Sequence, residues 1–141
     1  MRFPARMGNF IPDRLLELGH APLDDGLSLL DRARTLVGRG LVRRIWLLLL
    51  DDERRQLPLL PQIDGLPVSP DAGTASTLRT LLDRLGEHAA HVAIVLERPG
   101  GAEPEPDDLA WADAIARASR GADAAVVGVL LAHGRGVDLL Q

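Results

Sequence analysis

Residues 91–108 read HVAIVLERPGGAEPEPDD, and this stretch sets the fold. His91 to Leu96 is an apolar run that predicts a short strand. Glu97 to Pro106 carries Pro99, Pro104 and Pro106 with Gly100 and Gly101, a composition that predicts an ordered turn rather than a regular element. Asp107-Asp108 then opens a helix running to Ser119, with acidic residues where the helix dipole favours them and Gly121 as its stop. Ala124 to Leu131 is a further apolar strand. A strand, a proline-rich turn, an acid-headed helix and a second strand make one crossover unit.

Working outward from it, Arg44-Ile-Trp-Leu-Leu-Leu-Leu-Asp51 is a continuous apolar run with a turn-prone charged cluster behind it (Asp52 to Arg55). Such a run predicts a strand buried on both faces. Gln56 to Ile63 returns as a second strand, demoted to an edge or an irregular strand because Pro58 and Pro61 lack ladder donors. Leu27, Leu30, Ala33 and Val37 recur at helical spacing before the stops Gly38 and Gly40. Leu78, Leu81, Leu82, Leu85 and Ala89 form the stripe of a second helix over Thr74 to His88. Ala132 to Gly136 is a tight turn leading into a last strand, Val137 to Leu140. Strands linked by amphipathic helices give an α/β fold: a three-layer-like sandwich with a mixed β-sheet flanked by about three helices. Residues 1–24, rich in proline and glycine, predict an N-terminal arm with one short helix near Asp13 to Leu18, and 25–141 a single domain.

The 141 residues suffice for one core and not for two. All 16 basic residues are arginine, set against 20 acids for a net charge of −4. An acidic chain with 3% aromatic residues lacks both the cationic surface and the stacking platforms of a nucleic-acid binder. Nucleic acid is therefore disfavoured as a partner. The pairs Arg43–Arg44 and Arg54–Arg55 read as solvated strand ends. With no cysteine there is no disulfide, thiolate metal site or cysteine nucleophile. No apolar stretch follows the basic start, so no signal peptide is expected, and none reaches a membrane span. A cytoplasmic location is the expectation.

From about Arg43 to Leu140 the order and spacing resemble the JAB/MPN metalloprotease-like domains, most of all their RadC-type branch, whose fold is cytidine-deaminase-like. In that branch a buried strand ends in His-x-His-Pro-Ser-Gly, Ser-x-x-Asp opens the next helix, and a later turn is Gly-Asp-Gly-Arg-like. The corresponding residues here are Leu96-Glu97-Arg98-Pro99-Gly100-Gly101, Glu105 with Asp108, and His133-Gly134-Arg135. Leu49-Leu50-Asp51 with Arg55 resembles the first hairpin of the family, and Asp64-Gly65 the start of its helix-leading loop. The resemblance implies that Leu96 and Arg98 sit where two histidines hold zinc, and that Asp108 keeps the third ligand seat. Glu105 then replaces the serine, and Asp64 is nearest to the glutamate that activates the metal-bound water.

Leucine offers no lone pair, and a guanidinium repels a dication. One carboxylate does not hold a catalytic zinc, which takes three protein ligands and an open position. The expectation is a degenerate member that binds no metal or cofactor and serves as an interaction or scaffolding domain, with a protein partner or as a homodimer. Arg98 is expected to replace the metal's charge by pairing with Asp108 or Glu105. The rival readings are enzymes. One is a metal-dependent isopeptidase or peptidase with rearranged ligands, Asp108, Asp64 and His91; the other is a small-molecule hydrolase in the same cleft. His88 and His91 read as loop histidines, and Trp46 and Trp111 as core. A Ser/His/Asp set drawn from His133, Asp138 and Ser69, Ser76 or Ser119 has no nucleophile elbow to support it.

Overall fold

The computed structural model describes residues 6–10 and 21–140; the helix expected near Asp13 to Leu18 lies outside them. The elements in chain order are β1 (Arg6–Phe10), α1 (Gly26–Leu36), β2 (Arg44–Leu50), β3 (Leu60–Asp64), α2 (Thr74–Leu85), β4 (His91–Glu97), α3 (Pro106–Ser119), β5 (Ala125–His133) and β6 (Gly136–Leu139). They build one mixed sheet of order β1-β3-β2-β4-β5-β6. Every neighbouring pair is antiparallel except β4 and β5, which run parallel and are joined through α3. A crossover helix is the short way to connect parallel neighbours.

Side-chain alternation splits the apolar runs between two cores. Ile45, Leu47, Leu49, Ile94 and Leu96 join the apolar faces of α2 and α3, through Leu78, Leu82, Trp111 and Ile115. Trp46, Leu48, Leu50, Val95 and Leu130 face the other way, toward Leu29 and Ala33 of α1. Three layers result, and β2 and β4 are unbroken apolar strands because helices cover both their faces. Asp25 caps α1, accepting from the Ser28 N–H at 2.8 Å. Beyond α3, Gly121 takes φ +70°, the left-handed turn that glycine adopts freely.

Three expectations need correction. Residues 6–10, within the expected arm, are a strand of the sheet: β1 pairs with β3 along its whole length, Arg6 opposite Asp64 and Phe10 opposite Leu60. Because β1 takes that flank, β3 is interior to the sheet and not an edge strand. It is tolerated there because it is short and starts only at Leu60, after Pro58, and Pro61 pairs with β1 outside its short register with β2 at residues 62–64. Arg44 is not a solvated strand end either. Its Nε lies 2.9 Å from Asp64 Oδ1 and its guanidinium carbon 5.5 Å from the centre of the Trp46 ring, so ion pairing and cation–π attraction hold it against the sheet.

Candidate functional site

Where β4 ends, the side chains of its last residue, Glu97, and of Arg98 just beyond it go to opposite faces. Glu97 turns to the α1 face and is almost wholly buried. Its Oε1 accepts from the Trp46 indole N–H at 2.7 Å, and its Oε2 accepts from the N–H groups of Leu41 and Val42 at 2.8 and 3.0 Å. A buried carboxylate is tolerable only with such donors. Glu97 thus ties the strand end to the segment that enters β2. Sequence reading passed over this residue, although its alternation with Val95 sets it on the Trp46 face, where a buried indole needs an acceptor. The Trp46→Phe substitution removes one donor and is expected to cost about 2 kcal/mol in urea unfolding; a change below a few tenths would show that the bond contributes nothing.

Arg98 turns to the α2–α3 face, and its side chain is 3% exposed. Nε lies 2.9 Å from both carboxylate oxygens of Asp108, and Nη2 donates to Asp108 Oδ2 at 2.8 Å. The remaining guanidinium protons go to backbone carbonyls of the same loop: Gly101 at 2.9 Å, Glu103 at 3.0 Å and Pro99 at 3.2 Å. The loop is thereby wrapped around one cation. Asp108 is N3 of α3, 6% exposed, and also accepts the Glu105 N–H at 2.7 Å, the reach-back half of a capping box. Glu105 itself stays half exposed, its Oε1 3.6 Å from Arg98 Nη1.

Burial by itself pushes the Asp108 carboxyl up. The Arg98 hydrogen bonds, the Glu105 N–H and the charges of Arg98 and Arg43 outweigh it and hold the group below the usual carboxylate range. Hydrogen bonding to Asp108 raises Arg98 further above its already high value, against desolvation. A depressed carboxyl contributes stability that is complete above its unfolded value and is lost as pH falls through the folded one. In Asp108→Asn the acid limb of stability against pH, below about pH 4, is therefore expected to be shallower than in wild type. Equal slopes would show that Asp108 does not titrate on unfolding.

Beside this pair lies a cavity of about 20 Å³ lined by Arg43, Pro67, Leu96, Arg98, Asp108 and Trp111. That volume holds one water and no substrate. The loop before α2 closes it: the Trp111 indole N–H donates to the Val68 carbonyl at 3.1 Å, and the Ser69 hydroxyl donates to Asp107. Zinc does not fit this donor set. Leu96 brings a hydrocarbon, Arg98 a fixed positive charge, and Asp108 is committed to that charge.

The structure brings Leu96, Arg98, Glu105 and Asp108 together and leaves Asp64 out. Asp64 is in register with Arg44, which also faces Glu97. It therefore lies on the α1 side of the sheet, opposite Ile63 and Leu96, and pairs with Arg44 rather than with Arg98. His91 begins β4, whose seven residues put it roughly 20 Å from Arg98, and its Nδ1–H donates to the Asp51 carbonyl at 3.0 Å. The ligand set Asp108, Asp64 and His91 is thus spread over two faces and two ends of the sheet. His133 and Asp138 do meet, Nε2–H donating at 2.7 Å, while Nδ1 accepts the Arg135 N–H at 3.1 Å. Both ring nitrogens are committed, and the Ser69 and Ser119 hydroxyls are bonded elsewhere, to Asp107 and to the Ala116 carbonyl.

Three loops are stitched together at this end of the sheet. The Gly40 N–H donates to the His133 carbonyl at 2.7 Å, Gly134 to Gly100 at 2.8 Å, and Arg98 to Ala132 at 3.0 Å. Among the described residues no three histidine or acidic side chains form a group that could hold a metal, and no helix is long and apolar enough to cross a membrane. Comparison with protein-family models, curated proteins and solved structures returned no match to this chain.

Proposed function

We propose that this chain is a non-catalytic JAB/MPN-like domain that acts by binding protein, either another chain or a second copy of itself, in the cytoplasm. The observation that carries the reading is the Arg98–Asp108 pair. An internal cation occupies the place where the resemblance puts a metal, and its protons go to a carboxylate and three backbone carbonyls. The parallel β4–loop–α3–β5 crossover, with Leu96 and Arg98 at the strand end and Asp108 at the helix head, supports the kinship. The isopeptidase reading would need Asp64 and His91 beside Asp108, and the geometry gives it no help. Elemental analysis of protein incubated with zinc and then dialysed is the test: no stoichiometric metal is expected, and one zinc retained per chain would overturn the proposal.

A further inference from the structure

The stitched end of the sheet presents two surfaces of opposite charge side by side. On the loops 38–43 and 133–136, Arg39 and Arg135 are exposed and Arg43 is half-buried. Among the described residues none of the three guanidinium groups meets a carboxylate at ion-pair distance. Between them stand Leu41, 64% exposed, and Val42, 44% exposed. Across the cavity, the β4–α3 loop and the head of α3 carry Glu103, Glu105 and Asp107, flanked by Val68 at 51% and Leu109 at 56% exposure. Two exposed cations, Arg39 and Arg135, with no ion pair among the described residues, and two bare apolar side chains thus adjoin three acids with two bare apolar side chains. Leu41 and Val42 are adjacent in the chain, and apolar surface rimmed by charged groups is the kind that marks an interaction site.

We propose that this end of the sheet is the interface of a symmetric dimer, in which the basic half of each copy lies on the acidic half of the other. A two-fold axis through the boundary between the halves makes both contacts at once, since in an isologous interface each patch meets its complement twice. The apolar side chains form the buried centre and the charges the rim that fixes register and orientation. The proposal rests on the binding-domain reading and makes the second copy the partner. It also places the interface over the Arg98–Asp108 loop, so the loop that elsewhere in the family frames a metal here frames a contact.

Sedimentation equilibrium on three proteins tests it. Wild type is expected to be dimeric and to dissociate more readily as salt rises. The charge-reversed variants Arg39→Glu/Arg135→Glu and Glu103→Arg/Asp107→Arg each oppose like charges in both contacts. Each is expected to weaken self-association by about tenfold or more. An equimolar mixture of the two variants restores complementary charge in both contacts, and a heterodimer is expected where neither variant dimerises alone. The single variant Glu103→Arg, whose side chain is exposed, replaces the double one if Asp107→Arg disturbs the helix head. A monomeric wild type at high concentration overturns the proposal, as does a dimer that neither variant weakens, or two monomeric variants that fail to pair. None of these outcomes bears on zinc content, so the non-catalytic reading stands or falls separately.

Discussion

Arg98→Ala is expected to lower the unfolding free energy by about 3–5 kcal/mol, since truncating one member of a buried ion pair leaves the other as an uncompensated charge. Asp108 would be left 6% exposed with the Glu105 N–H as its remaining hydrogen bond and the more distant Arg43 charge, and the carbonyls of Pro99, Gly101 and Glu103 would lose their shared donor. In a domain of this size that loss corresponds to a fall in melting temperature of roughly 10 °C or more. Arg98→Lys keeps the charge and loses the fork, so it should recover only part of the stability, because an ammonium cannot meet the carboxylate and three carbonyls together. The double replacement Arg98→Met/Asp108→Leu removes both charges and should be far less damaging than either single truncation. Urea unfolding of the set decides it. A loss below 1 kcal/mol in Arg98→Ala would mean that the pair is dispensable.

Gly40→Ala is expected to be comparably severe for a different reason. A Cβ at residue 40 would stand 2.1 Å from the Arg98 carbonyl oxygen and 2.3 Å from that of Ala132. Both are backbone atoms at the ends of β4 and β5, which are bonded to each other there, Arg98 N–H to Ala132 at 3.0 Å. Nothing at that point can rotate aside. Either residues 38–43 lift off the sheet, breaking the 2.7 Å Gly40–His133 bond, or the ladder end opens. A cost on the order of 3 kcal/mol or more follows from such overpacking. Gly101→Ala in the neighbouring loop is the control: a Cβ there meets nothing within 4 Å, and stability should change by less than about 0.5 kcal/mol. Equal effects from the two alanines would contradict the packing account.

Much of this fold is legible in the chain. The apolar runs at 44–50 and 91–97 announce strands covered on both faces, the helical stripes at 27–37 and 74–89 announce their covers, and the glycines and prolines bracket them. The order of elements from α1 to β6 follows directly. β1 is less legible, because Arg6-Met-Gly-Asn-Phe10 has neither a strand's alternation nor its β-branched residues; pairing with β3 supplies what propensity does not. The position of β3 in the sheet follows from β1 and was missed with it. In the site, the pairing of Arg98 with Asp108 is what the resemblance implies, since it sets both at former ligand seats, and a strand end and a helix head joined by a short loop lie close enough to make it. Partial burial of the pair is expected from the sequence, but its near-complete burial is not readable, for it depends on the loop 65–70 folding over Trp111. Asp64 shows the limit of linear correspondence. Its place in the chain suits a catalytic acid, but the pleat puts it on the other face of the sheet, and alternation alone carries no signal for which face that is until the register with Arg44 is known.

The stability predictions concern what the ion pair does for the fold. The proposed kinship with the metal-binding JAB/MPN domains requires the ligand seats themselves to be in place, and that can be tested by refilling them. Leu96 and Arg98 project to one face of β4 beside Asp108, so Leu96→His/Arg98→His would supply two imidazoles and a carboxylate, the minimum protein set for a zinc with an open position. The zinc stoichiometry of this variant, measured by isothermal titration beside wild type, is the decisive quantity. The account predicts one tightly held zinc per chain in the variant, raising its melting temperature as it binds, and none in wild type. Zinc held by wild type, or a folded variant that takes up none, would contradict it.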